Sequence, residues 1–349
     1  MAIQESIKEN NDVVIRFENL TKYYGNFCSV SNLNMEIKKG EIIGFLGPNG
    51  AGKTTTMKMM ARILRPSSGK IVYKKDGEFF ELTARSKDYL LQNVGFLVEN
   101  PSFYNNVTPR QLLTLFAKLK GYPRDKIPKR VEEVVAMVKM TDWIDKKLGT
   151  FSKGMKVKLG IVSALVHDPE IIILDEPQSG LDPKARIDVR NFILELKKVG
   201  KTIFFSSHLL YEVSEVADKI AIITNGHLIA FDTMQDLELQ AKSSLIHLEI
   251  LNANNGNTKP LLDRLVEILR PQIEKGIIIN DITYTPETKK FNINFDGEPQ
   301  HQHDILQLLT EDKIDVVDFS VSKAGVLEDL YMNLVSDSKQ ESNPVYSNN

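Results

Sequence analysis

Short apolar runs recur along the first part of the chain, and between them apolar residues return at helical spacing. Val13 to Phe17, Ile42 to Leu46, Val94 to Val98, Ile171 to Leu174, Thr202 to Phe205 and Ile220 to Thr224 are apolar or β-branched, as buried strands require. Thr54 to Leu64, Pro109 to Lys120, Lys129 to Met140, Met155 to His167 and Pro183 to Lys198 carry the helical period. Strands that alternate with helices predict a mainly parallel sheet with helices on both faces. Lys70 to Tyr73 and Glu78 to Leu82, joined across Asp76-Gly77, predict a hairpin and with it an antiparallel layer beside that sheet. Thr108 to Lys147 has helical spacing without strands. It predicts a helical subdomain spanning about residues 100–165.

After Gln240 the order changes to strand (Leu245–Leu251), helix (Pro260–Ile273), strands (Gly276–Tyr284 and Lys290–Phe295), helix (His301–Leu309) and strand (Asp315–Val321). That βαββαβ order is the ferredoxin-like arrangement. A last helix is expected at Val326 to Leu334, whereas residues 1–12 and the Ser/Asn-rich tail 336–349 hold too few apolar residues to fold and are expected to be disordered. The expected domains are therefore 13–240 and 243–335. Charge supports that break: Lys and Arg number 35 against 29 acids through residue 242 but 9 against 17 afterwards, so the two parts carry +6 and -8.

With 349 residues, 42% apolar and 26% charged, the chain can bury a large core and a smaller one. Its longest charge-free apolar stretch of note, Leu159 to Val166, is far short of the roughly 18 to 20 residues that span a bilayer. The first residues have no apolar core of the secretory kind, which predicts a chain that stays in the cytosol. The single cysteine, Cys28, excludes an internal disulfide and a cysteine-cluster metal site. Basic residues are scattered without interleaved aromatics, so no nucleic-acid partner is expected.

Chemistry concentrates at two segments. Gly47-Pro48-Asn49-Gly50-Ala51-Gly52-Lys53-Thr54, followed by Thr55, lies between a predicted strand and a predicted helix. That is the context of a phosphate-binding loop, in which backbone N–H groups and the helix N-terminus face phosphates, the lysine reaches the β and γ phosphates and the threonine hydroxyl suits Mg2+. Ile171 to Leu174 ends in Asp175-Glu176. At that end of a parallel sheet ligands collect, so Asp175 is a candidate for Mg2+ and Glu176 for polarising the attacking water. Together these segments predict a nucleoside triphosphatase.

Between them, Phe151-Ser152-Lys153-Gly154-Met155-Lys156 precedes an apolar-striped helix and resembles the signature motif of the ATP-binding-cassette family. The resemblance extends along residues 13–240. Tyr24 matches the aromatic that stacks on adenine, Ser179-Gly180-Leu181-Asp182 the dimer-contact loop, and His208 the switch histidine. The resemblance implies a P-loop NTPase core that binds ATP and Mg2+, with the signature serving the nucleotide of a second subunit in a homodimer or a heterodimer with a paralogue. It further implies an integral-membrane transporter subunit on a separate chain and a place on the cytoplasmic face of the membrane.

Two departures narrow the placement. Lys153 and Met155 stand where the family's signature usually has glycine and glutamine, a variant similar to that of multidrug and antibiotic exporters with a separate membrane subunit. Glu99 stands where the family usually has a glutamine that reaches Mg2+ and the attacking water, a substitution shared with bacitracin-resistance and lantibiotic-immunity type exporters. A carboxylate can bind Mg2+ but, ionised, cannot donate a hydrogen bond. The resemblance thus adds Glu99 and His208 to Glu176 as catalytic candidates and Glu99 to Thr54 and Asp175 as metal candidates. A non-transport relative acting in translation or repair is the alternative; those carry two cassettes or a long coiled coil, and this chain has one phosphate loop and no long heptad run. A small-molecule sensor role for residues 243–321 lacks a visible cluster of convergent polar groups. His301 and His303 have no third ligand in sequence and read as surface residues, and Met57, Met59 and Met60 as packing against the sheet.

Overall fold

The computed structural model describes residues 12–75, 77–81, 92–97, 101–240, 244–251, 258–274, 279–285 and 289–322. Glu99, Asp76, the helix expected at Val326–Leu334 and the tail 336–349 lie outside the described residues, as do residues 1–11. The chain divides into two compact units, Met1–Thr233 and Met234–Asn349. The division precedes the helix Met234–Gln240, whereas the charge asymmetry changes after it.

In the first unit a six-stranded sheet runs in the order β10-β9-β3-β8-β7-β6. Its strands are β3 (Ile42–Leu46), β6 (Val94–Leu97), β7 (Ile171–Leu174), β8 (Thr202–Ser207), β9 (Lys219–Thr224) and β10 (His227–Asp232). All pairings are parallel except β9 with β10. Every residue of β3, β7 and β8 is buried, which is why β3 and β7 are apolar on both faces, while β8 ends in the buried Ser206 and Ser207.

A four-stranded antiparallel sheet, β2-β1-β4-β5, is built from β1 (Val13–Tyr24), β2 (Phe27–Lys38), β4 (Ser68–Lys75) and β5 (Glu78–Glu81). In β1, Val13, Ile15 and Phe17 are buried while the residues between them are more exposed. Helix α1 (Lys53–Met60) sends Met57, Met59 and Met60 into a cluster shared with Ile15, Phe17, Phe45 and Phe204, so one core joins the two sheets. This helix stops short of the expected Leu64, because Arg62 adopts φ 54° and the Ile63 and Leu64 N–H groups turn back to the Lys58 carbonyl. The helical subdomain contains α2 (Pro109–Leu119), α3 (Ile127–Met137) and α4 (Lys153–Leu165). Thr108 starts α2 with a reciprocal capping box to Gln111. After β7 come α5 (Pro183–Lys198) and, after β8, the short α6 (Leu210–Ser214).

The second unit contains α7 (Met234–Gln240), β11 (Ser244–Ile250), α8 (Thr258–Glu274), β12 (Ile279–Thr285), β13 (Lys290–Phe295), α9 (Pro299–Glu311) and β14 (Val316–Ser322). Its sheet order β12-β13-β11-β14, antiparallel throughout, is the ferredoxin-like topology. Ile246, Leu248, Phe291, Ile293 and Phe295 face Leu265, Leu269, Ile305 and Leu309 in a core of their own.

Candidate nucleotide site

The loop after β3 wraps a cavity of about 500 Å³. Asn49, Gly50, Gly52, Lys53, Thr54 and Thr55 line it from the loop, and Asp175, Glu176, Ser179 and His208 line it from the ends of β7 and β8. The loop's shape depends on glycine where the backbone passes closest to its neighbours. Gly52 has φ 103°, and a Cβ there would lie 2.4 Å from the Ser29 carbonyl oxygen. At Gly47 a Cβ would lie 2.3 Å from the Ile223 carbonyl oxygen. Any side chain at either position would force the loop off the sheet.

Lys53 is only 6% exposed. Its ammonium donates to the carbonyls of Gly47 at 2.7 Å and Pro48 at 3.1 Å, and lies 3.3 Å from Glu176 Oε1. The other carboxylate oxygen, Glu176 Oε2, accepts from His208 Nδ1 at 2.8 Å. One carboxylate thus bridges the loop lysine and the histidine after β8. Glu176 is held in place by its backbone: φ is 47°, and its N–H donates to Ser206 Oγ at 2.9 Å. The Ser206 hydroxyl in turn donates to Asp175 Oδ1 at 2.6 Å. Asp175 is 4% exposed, and its N–H donates to the Leu97 carbonyl at 2.7 Å. Ser206 therefore ties the two acids together, a role for which its place in an apolar strand gave no signal.

The oxygen donors in this cavity suit Mg2+. Thr54 and Asp175 both line it, and among the described residues no group of three or more His, Cys, Asp or Glu forms a closed cage. Mg2+ characteristically takes one or two protein oxygens and keeps water or substrate phosphate for the rest.

Other expected residues lie around this centre. Gly47, Pro48 and Ala51 shape the loop without lining the cavity; the Ala51 carbonyl accepts from the Gly226 N–H. Tyr24 pairs with Phe27 across the β1–β2 turn and is 49% exposed, and Phe27 is an aromatic that lines the cavity. Ser29 also lines it and hydrogen-bonds Thr55 through their hydroxyls at 3.0 Å. Phe27 and Ser29 belong to β2, whose alternation at Leu33, Met35 and Ile37 was the available signal.

Ser152 caps α4 by accepting from the Met155 N–H at 3.3 Å. None of Ser152, Lys153, Gly154 and Met155 lines the cavity. They adjoin the loop Ser179–Asp182 and the start of α5 instead: a Cβ on Gly180 would meet Lys153 Nζ at 2.1 Å, and one on Gly154 would meet the Ala185 Cβ at 3.0 Å. Asp182 caps α5 through the Ala185 N–H at 2.9 Å, and Leu181 is buried. His301 is engaged by Asp296 at 2.7 Å.

Residues 30–179 match the ABC transporter family. The bacitracin transport ATP-binding protein BcrA of Bacillus licheniformis is 35% identical over 92% of this chain and 97% of its own length. The uncharacterized ABC transporter ATP-binding protein YcbN of Bacillus subtilis is 37% identical over 80% of this chain and 93% of its own length. A solved ATP-binding subunit of an ABC transporter superposes with a TM-score of 0.58 and 28% identity, covering 65% of this chain and 92% of that one. Among the described residues, no helix is long and apolar enough to cross a membrane.

Proposed function

We propose a residue-level mechanism on the premise that this chain belongs to the family of ABC transporter ATP-binding proteins. It binds and hydrolyses ATP to power a transporter, as its family does. The observation that carries the mechanism is the bridge from Lys53 through Glu176 to His208 inside the phosphate-loop cavity.

The Lys53 ammonium balances the Glu176 carboxylate. The β and γ phosphates of ATP outbid that carboxylate for Lys53, because they offer more negative charge and the loop N–H groups bind them as well. Glu176 is then free to accept a proton from the attacking water, and His208 holds its second oxygen so that the first is aimed. Asp175 and Thr54 would hold Mg2+, which when bound neutralises charge on the phosphates. Glu99 is a further candidate for that ion.

The active unit is a dimer of this chain, or of this chain and a paralogue, in which Ser152, Lys153, Gly154 and Met155 of one subunit complete the cavity of the other. Two features support this. The signature residues do not line the cavity of their own chain, and Ser152 already presents a capped helix end suited to an anion. The helical subdomain and the segment around Glu99 would receive a separate membrane subunit, keeping this chain on the cytoplasmic face of the membrane. The BcrA relative is a bacitracin transport protein, and similarity over 92% of this chain supports an exporter of antibiotic-like or lipophilic compounds.

The test is to express the chain with its membrane subunit in a bacitracin-sensitive bacterium. Tolerance should rise, and Lys53→Ala should remove the gain. Unchanged sensitivity, with both proteins made, would reject this cargo class.

A further inference from the structure

We infer that Arg62, Arg65 and Lys70 form a second anion site, for a phosphate-bearing ligand, in a cavity that shares no described residue with the nucleotide site. This cavity, of about 460 Å³, opens where α1 ends and β4 begins. The three cations line it with the hydroxyl-bearing Ser67 and Ser68, and among the described residues Glu81 is its one acidic lining residue. Lys70 is partly satisfied by Glu18 at 3.1 Å. The guanidinium groups of Arg62 and Arg65 have no hydrogen-bond or ion-pair partner among the described residues.

The backbone at Arg62 is the second observation. Its φ of 54° is the left-handed conformation that ends α1, a position that glycine holds without strain and arginine does not. That turn ends the helix, as at Lys139 and Lys313, and sets the half-buried Arg62 at the cavity wall. The surrounding frame is fixed. Lys22 Nζ donates to the Arg65 carbonyl at 2.8 Å, and the Ser67 N–H donates to the Thr21 carbonyl at 2.8 Å. Because Ser67 Oγ accepts from the Tyr23 N–H at 2.9 Å, its own hydrogen is left to donate to a ligand. Lys22 adds another positive charge beside Arg65.

Two arginine forks and a serine hydroxyl match the tetrahedral oxygens of a phosphate, which can accept several bidentate bonds at once. The cavity has room for more than the phosphate itself. The ligand is thus a phosphomonoester or its like, either a soluble compound or the headgroup of an anionic lipid.

The test uses the full chain carrying Lys53→Ala, so that the phosphate loop does not contribute. Inorganic phosphate is titrated by calorimetry, and cosedimentation is measured with phosphatidylcholine vesicles with and without phosphatidic acid. Binding to at least one probe is expected, and it should weaken by about tenfold or more when Arg62→Ala and Arg65→Ala are added, the usual loss for charge-assisted bonds. A soluble ligand would show in the phosphate arm alone, a lipid in the phosphatidic-acid arm. Arg62→Gly guards against misfolding: it should raise the melting temperature by relieving the strained φ while weakening binding. The inference is overturned if neither probe binds, or if binding is the same with the arginines replaced.

Discussion

Lys53 Nζ lies 3.3 Å from Glu176 Oε1, so the cation of the phosphate loop and the acid after β7 are paired with each other across the nucleotide cavity. Phosphates bound at the loop would compete with Glu176 for the Lys53 ammonium. Glu176→Gln should therefore bind ATP more tightly than the wild type, by about three- to tenfold, the scale of a partly buried ion pair. Lys53→Ala should weaken binding by about 100-fold or more, because the phosphates lose their charge-assisted donor. Titration with a fluorescent ATP analogue reads both, and equal affinity in the wild type and Glu176→Gln would show that the pair does not compete with nucleotide.

Ser206 Oγ accepts from the Glu176 N–H and donates to Asp175. Ser206→Ala removes both bonds without touching a loop residue. Turnover should fall by about tenfold, in line with the loss of an aiming hydrogen bond, while ATP affinity changes little. A drop in affinity as large as the drop in turnover would assign Ser206 a binding role instead.

The strands that carry this site were legible because Ile42–Leu46 and Ile171–Leu174 are apolar at every position, as a strand buried on both faces requires. Strand β2 was missed. It buries one face, so its apolar residues alternate with Asn and Glu and form no run. The consequence reached the site, since Phe27 and Ser29 of that strand line the cavity. Arg62 was equally silent: helical spacing continues past it to Leu64, and only the backbone turn shows that the helix has ended. The acids Asp175 and Glu176 could be read as a pair, but the serine that joins them could not.

His167 is 7% exposed and lies between β6 and the end of α4; its Nε2 donates to the Val94 carbonyl at 3.3 Å, and its buried Nδ1 has no partner among the described residues. Burial, reinforced by the charge of Lys120, pushes its pKa down from 6.5 to about 4. The folded state thus keeps His167 neutral where the unfolded chain takes up a proton. This group leaves stability unchanged above pH 6.5 and lowers it as pH falls from 6.5 toward about 4, by at most about 1.4 kcal/mol per pH unit. Urea melts across that window should show a shallower pH dependence for His167→Gln than for the wild type. Parallel curves would mean that the histidine does not couple to folding.

The Met1–Thr233 unit contains every described residue that lines the nucleotide cavity, and the second unit has its own core. A chain ending at Ala241 should therefore fold and bind ATP like the full protein, with any loss confined to dimer stability. Fluorescence titration of the truncated chain checks this; a folded truncation that no longer bound ATP would make the second unit part of the site.

The most direct test of the account is steady-state ATP hydrolysis by purified Glu176→Gln beside the wild type, with ATP binding measured on the same samples. Turnover should fall by about 100-fold or more, the scale of a positioned base, while ATP still binds and draws the subunits into a dimer. Turnover near the wild-type rate would contradict the assignment of Glu176 as the base.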